Sequence, residues 1–178
     1  MTRIRVSLFL AVLGLASTLV AQTPAPAPTP VSVPVVCRPT PTLDELIKAL
    51  DEAVSGPVDK DRTCIRALLM PNATMNPLAK NADGNYAPHP LTIDGWIDRV
   101  KARGGIIYEH QVKVTTETYG HIAHLWSTYE LRTAADGPIQ IRGINSIQAV
   151  NDGTRWRVFE IMWQAETADE KVPARYLP

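Results

Sequence analysis

From Ile106 onward the chain changes to an alternation of apolar and polar residues that runs almost to its end. Residues two apart share one face of a strand, so the alternation predicts four long strands, over 107–118, 121–133, 139–150 and 154–165. The breaks between them hold Tyr119-Gly120, Asp136-Gly137-Pro138 and Asp152-Gly153, all residues that favour tight turns. Consecutive strands joined by short turns make an antiparallel meander. Such a sheet has an apolar face that must be covered, and only the upstream part of the chain is available to cover it.

That upstream part reads as helical. Thr42 followed by Glu45 is a capping box. Leu43, Ile47, Leu50 and Val54, with Leu46 beside them, then repeat at helical spacing until Gly56-Pro57. A second helical piece is expected over 60–69, ended by Met70-Pro71-Asn72, then a short strand over 73–78 and a loop over 79–90. Thr92 caps a third helix with Ile93, Trp96, Ile97 and Val100 on one face, closed by Gly104-Gly105. The expectation is an α+β domain over residues 42–168: a cone-shaped, curved antiparallel sheet packed on three N-terminal helices. Residues 169–178 read as a C-terminal tail.

Two segments precede the domain. Residues 1–21 carry Arg3 and Arg5, then an uncharged, mostly apolar run from Val6 to Ala21, the layout of a signal peptide. The run is shorter than the roughly 20 residues that span hydrocarbon, so no membrane insertion is expected after cleavage. The mature protein is expected to be secreted or periplasmic. Residues 22–41 are dominated by Pro, Ala, Thr and Val and read as an extended linker of polyproline II character. Cys37 lies in this linker and Cys64 in the domain. In an oxidising compartment the two are expected to bond, two free thiols being the alternative.

Several function classes are excluded. Without its leader the chain has 16 basic against 18 acidic side chains, which is not the concentrated positive field of a nucleic-acid binder. There is no GxGxxG, P-loop, CxxC or GxSxG, so no cofactor is expected. His121 and His124 are three apart on a strand and point to opposite faces, so no metal site is expected either.

The order of elements resembles the nuclear transport factor 2-like superfamily, including its SnoaL-like, polyketide-cyclase branch. The residues that carry the resemblance are LDELIKALDEAV in the first helix, LTIDGWIDRV in the third, and YGHIAHLWSTYELR, RGINSIQAV and WRVFEIMWQAE in the sheet. The resemblance implies a conical α+β barrel with a pocket, often a homodimer. Its members are isomerases, dehydratases, cyclases or plain binding modules, and those that move protons commonly use an Asp or Glu base.

Alternation sorts the pocket side from the outside. The inward faces are expected to carry Tyr108, His110, Val112 and Val114 on the first long strand, Ser127 and Tyr129 on the second, and Asn145 on the third. Glu109, Gln111, Lys113 and Thr115 are expected to meet solvent. Tyr129 and Asn145 are candidates to polarise a carbonyl oxygen, and His110 or Asp59 to move a proton. Tyr108, Ser127, Trp163 and the loop residue His89 are candidates to contact a ligand. All of these also have a plain structural reading, as core polar residues or loop residues. No acid falls on the inward faces of the first three long strands, which leaves the proton-transfer chemistry without its usual base. The expected partner is a small apolar or amphipathic molecule, bound with or without turnover. The competing reading is a protein-interaction module whose cone is filled by side chains. Trp126 falls on the outer face beside Ile122, where a second copy of the chain is the ordinary cover and a homodimer the expectation.

Overall fold

The computed structural model describes residues 35–178; the expected signal peptide and the linker up to residue 34 lie outside the described residues. Helix α1 (Leu43–Val54) begins where Thr42 Oγ1 accepts the backbone N–H of Glu45 at 3.2 Å. A two-residue strand β1 (Gly56–Pro57) follows, and Gly56 has φ +126°, a conformation that favours glycine. Helix α2 (Thr63–Leu68) is shorter than its apolar pattern predicted. The reason is Arg62, which is buried and folded back: its guanidinium donates to the carbonyls of Val54, Pro57 and Val58 at 3.0–3.3 Å. Those bonds close the C-terminal end of α1 and hold residues 58–62 in a turn, as buried backbone acceptors require.

Strand β2 (Leu69–Lys80) departs most from the sequence reading. A short strand was expected; twelve residues are extended, and Leu69 and Thr74–Pro77 pair parallel with the last long strand. The register shifts between Leu69 and Thr74, so Pro71, which has no N–H to give, sits where the ladder is interrupted. The expected loop contains β3 (Tyr86–Pro88), which turns back on Leu78–Lys80 as a hairpin. Helix α3 (Ile93–Arg103) is capped by Thr92, whose side chain accepts Gly95 N–H at 3.0 Å, and it ends at Gly104 with φ +73°.

The four long strands are β4 (Ile106–Tyr119), β5 (Ile122–Arg132), β6 (Ile141–Asn151) and β7 (Trp156–Ala165). They pair antiparallel in chain order, and β1 and β2–β3 extend the sheet at its two ends, giving β1-β4-β5-β6-β7-β2-β3. Among the described residues the sheet is therefore mixed, with one parallel pair. Leu46 of α1 and Ile65 of α2 pack on Leu125, Ile147 and Val158 of the sheet, all at or near zero exposure.

Residues 35–41 and 169–178 both dock on this body. Cys37 and Cys64 form a disulfide. Thr40 is buried, accepts Trp156 N–H at 2.8 Å through its carbonyl and donates its hydroxyl to Trp156 O at 2.6 Å. At the other terminus Tyr176 O accepts the Thr128 hydroxyl at 2.6 Å, and Leu177 O accepts Lys113 Nζ at 2.7 Å. The Tyr176 ring lies 5.9 Å from that of Trp126. The apolar strip at Trp126, expected to need a second copy, is thus covered in part from within the chain.

Candidate functional site

Strand β4 contains a bulge. Gln111 pairs with Tyr129 and Lys113 pairs with Thr128, so Val112 has no partner on β5. An extra residue reverses which side chains face inward on either side of it. Beyond the bulge Val114 packs on the core, as its alternation predicted. Before it, Ile107, Glu109 and Gln111 face inward while Tyr108 and His110 do not. The two polar residues read as solvent-facing are inside the cone.

The N-terminal half of β4 has a free edge once β1 has ended, and α1 closes it. Ser55 Oγ accepts Glu109 N–H at 2.9 Å and lies 3.0 Å from Glu109 O, to which it donates. Asp51 accepts Gln111 N–H at 3.2 Å with both carboxylate oxygens. The same two residues whose backbone is held from outside project their side chains into a cavity of about 310 Å³.

That cavity lies between the inner face of the sheet and helices α1, α2 and α3. Its walls are mostly aliphatic and aromatic, including Leu50, Ile107, Leu131, Ile147, Trp96 and Trp163. Arg99 and Arg103 of α3 line it, and four polar side chains enter it from the sheet: Glu109, Gln111, Tyr129 and Asn145. Gln111 links Glu109 and Asn145. Its Oε1 accepts from Ser127 Oγ at 2.5 Å and from Asn145 Nδ2 at 3.1 Å, and its Nε2 donates to Glu109 Oε1 at 3.2 Å. Tyr129 is buried and stands opposite Gly143 on β6. A methyl group on Gly143 would lie 2.7 Å from the Tyr129 hydroxyl and 2.2 Å from Gln164 O, so the bare glycine makes room for the phenol.

Burial in these apolar walls pushes the Glu109 carboxyl up to about 7; nearby Asp51 adds to this, and the hydrogen bond from Gln111 and the charge of Arg103 oppose it. Burial also pushes Asp51 up to about 6, against the hydrogen bond from Gln111 and the pull of His110. The Tyr129 hydroxyl is driven above its ordinary range by burial and by Glu109, so it remains a donor. The arrangement is a carboxyl able to change protonation near neutrality, beside a phenol and a carboxamide able to donate hydrogen bonds, in a largely apolar cavity. Such a group can take or give a proton at a bound molecule while the donors hold an oxygen of it.

Solved structures share this architecture. A nuclear transport factor 2-like protein of unknown function from Pseudomonas putida KT2440 matches at a TM-score of 0.52, with 14% identity, over 74% of this chain and 90% of its own. A protein of unknown function with a cystatin-like fold from Nostoc punctiforme matches at 0.54, with 9% identity, over 72% and 96%. A protein from Kribbella flavida matches at 0.50, with 12% identity, over 70% and 88%. The fold is nuclear transport factor 2-like. No protein-family model and no curated protein matches the chain.

Within the nuclear transport factor 2-like cone, the sequence-derived candidates separate. Tyr129, Asn145 and Trp163 line the cavity, and Ser127 sits fully buried behind it as the donor to Gln111. His110 is corrected: the bulge turns it out of the cavity, where its Nδ1 is 3.9 Å from Asp51 and more than half of its side chain is exposed. Tyr108 leaves the cavity for the same reason. Asp59 is exposed in the turn before α2 and is not part of the cavity wall. His89 is exposed beyond β3, its backbone N–H on Pro77 O at 2.9 Å, and is not part of the cavity wall.

The residues missed were Glu109, Gln111 and Asp51. Glu109 is the inward acid whose absence the alternation implied. Residues 108–111 read Tyr-Glu-His-Gln, and neither face of that stretch is apolar, so its pattern does not specify which side is buried. The one available signal was the lack of that contrast, which marks a place where a bulge goes undetected.

Proposed function

We propose that this is an exported small-molecule-binding protein of SnoaL-like type that moves a proton on its ligand without a cofactor, as an isomerase, cyclase or dehydratase does. The observation that carries the reading is the inward carboxyl of Glu109, held by Gln111 in an apolar cavity it shares with Tyr129 and Asn145. A cavity with few convergent polar groups is the usual form of a small-molecule site, and about 310 Å³ fits a compact ring system. In the proposed step the Glu109 carboxylate takes a proton from a carbon next to a carbonyl. Tyr129 donates a hydrogen bond to the enolate oxygen, and Glu109 returns the proton to carbon. Export is supported by the Cys37–Cys64 disulfide, which persists in oxidising compartments.

The test uses two probes. N-phenyl-1-naphthylamine fluoresces in apolar sites and reports binding; 2-tetralone in D2O reports loss of its activated α-protons by NMR. The protein is expected to bind the first and to speed exchange of the second. Glu109→Gln should abolish the exchange while keeping the binding, and Tyr129→Phe should slow exchange by about 10²-fold, the effect of one lost oxyanion donor. Binding without any acceleration of exchange would overturn the proton-transfer reading. Absence of binding would overturn the small-molecule reading itself and favour the interaction module.

A further inference from the structure

The cavity wall is uneven in charge. Helix α3 contributes Trp96, Arg99, Val100 and Arg103, which recur at helical spacing and so form one stripe facing the sheet. Arg99 and Arg103 are exposed as well as lining the cavity, so they stand where it meets solvent. Neither makes an ion pair or a side-chain hydrogen bond among the described residues. Among the described residues, the other ionisable groups in the wall are the Tyr129 phenol and the Glu109 carboxyl. When Glu109 carries its proton the wall holds two positive charges and no negative one; when it is ionised the balance is still positive. An apolar cavity of this kind is matched to an anion.

We infer that the ligand is an organic anion, with an apolar body inside the cone and a carboxylate, sulfonate or phosphate group paired with Arg99 and Arg103 at the mouth. This rests on the small-molecule reading above and adds the charge of the ligand to it. Two guanidinium groups one helical turn apart can each present paired N–H donors to such a group. The anionic end stays at the rim, where its desolvation cost is small, and the neutral end reaches Glu109 and Tyr129. The alternative is that both side chains lay their stems over apolar wall and leave their heads in water.

Two probes with the same ring skeleton separate these cases. 8-Anilino-1-naphthalenesulfonate carries a sulfonate that N-phenyl-1-naphthylamine lacks. Fluorescence titration is expected to show tighter binding of the sulfonate, weakening as NaCl is raised. In the double variant Arg99→Gln, Arg103→Gln the sulfonate should lose about fivefold in affinity, the scale of two rim ion pairs, while the neutral probe is unaffected. Lys at both positions should restore part of the loss. Unchanged sulfonate affinity in a double variant that still binds the neutral probe would overturn the inference and leave the cavity reading standing. If neither probe binds the unaltered protein, both readings fall.

Discussion

The carboxylate of Asp51 accepts the backbone N–H of Gln111, each oxygen at 3.2 Å. A residue of the first helix thereby satisfies the open edge of β4 at the point where that strand bulges. An edge N–H left bare in a partly buried seam is costly, so this contact helps set the register that puts Glu109 inside. Asp51→Ala is expected to destabilise the protein by about 1–3 kcal/mol in urea unfolding. Asp51→Asn, which keeps an acceptor, should cost less. Equal losses for both variants would mean that the charge rather than the hydrogen bond matters.

Stability should depend on pH through Glu109. Its folded value is raised from 4.5 to about 7, so the folded state holds this proton more tightly than the unfolded chain does. The resulting stabilisation is complete below about 4.5 and is lost as pH rises through about 7. Asp51, raised from 3.8 to about 6, acts in the same sense over a lower window. The two carboxyls interact, so the transition reports the pair. Thermal unfolding of the unaltered protein should therefore show a higher Tm at pH 5 than at pH 8. Glu109→Gln should remove most of that difference and stabilise the protein at pH 8 by about 2 kcal/mol. A profile that Glu109→Gln leaves unchanged would place the carboxyl in solvent.

Gly143→Ala should disturb the site more than the size of a methyl group implies. The new Cβ meets Gln164 O of β7 and the Tyr129 hydroxyl, and the backbone oxygen cannot move without separating β6 from β7. A loss of about 1–3 kcal/mol is expected, as for other overpacked positions, together with weaker binding of N-phenyl-1-naphthylamine. Chemical denaturation and fluorescence titration check the two parts. Normal stability and binding would show that the strands have slack here.

Reducing the disulfide should destabilise by about 3 kcal/mol on the chain-entropy account, given the 27-residue separation of Cys37 and Cys64. Cys37→Ser should do the same without reductant. Because Thr40 is tied to Trp156 by two further hydrogen bonds, hydrogen exchange of Trp156 N–H should quicken in this variant. Protection that persists would mean that the segment docks without its cross-link.

The C-terminal segment covers Trp126. Tyr176→Ala is expected to expose that indole, red-shift its fluorescence and increase proteolytic cleavage after residue 168. Trp126→Glu is expected to release the segment without a change in oligomeric state, measured by sedimentation. A shift of a dimer to monomer in Trp126→Glu would instead mark the outer face as a seam between copies.

The four long strands, the caps of α1 and α3 and the glycine stop after α3 were legible because each is written in local chemistry: period-two alternation, Thr as a helix cap, Gly where φ is positive. For the same reason the inward positions of Tyr129 and Asn145 were legible on β5 and β6, whose two faces differ in polarity. The length and parallel pairing of β2 were not legible, since its prolines read as breaks and its partner lies more than 80 residues away. The sequence by itself determined that a curved sheet must close over helices with a few polar groups on its inner face. Which polar groups those are on β4 was decided only in the tertiary structure. There Tyr108 to Gln111 have no apolar face to choose a side, and the pairing with β5 and the grip of Asp51 and Ser55 on the strand edge choose it instead, turning Glu109 in and His110 out.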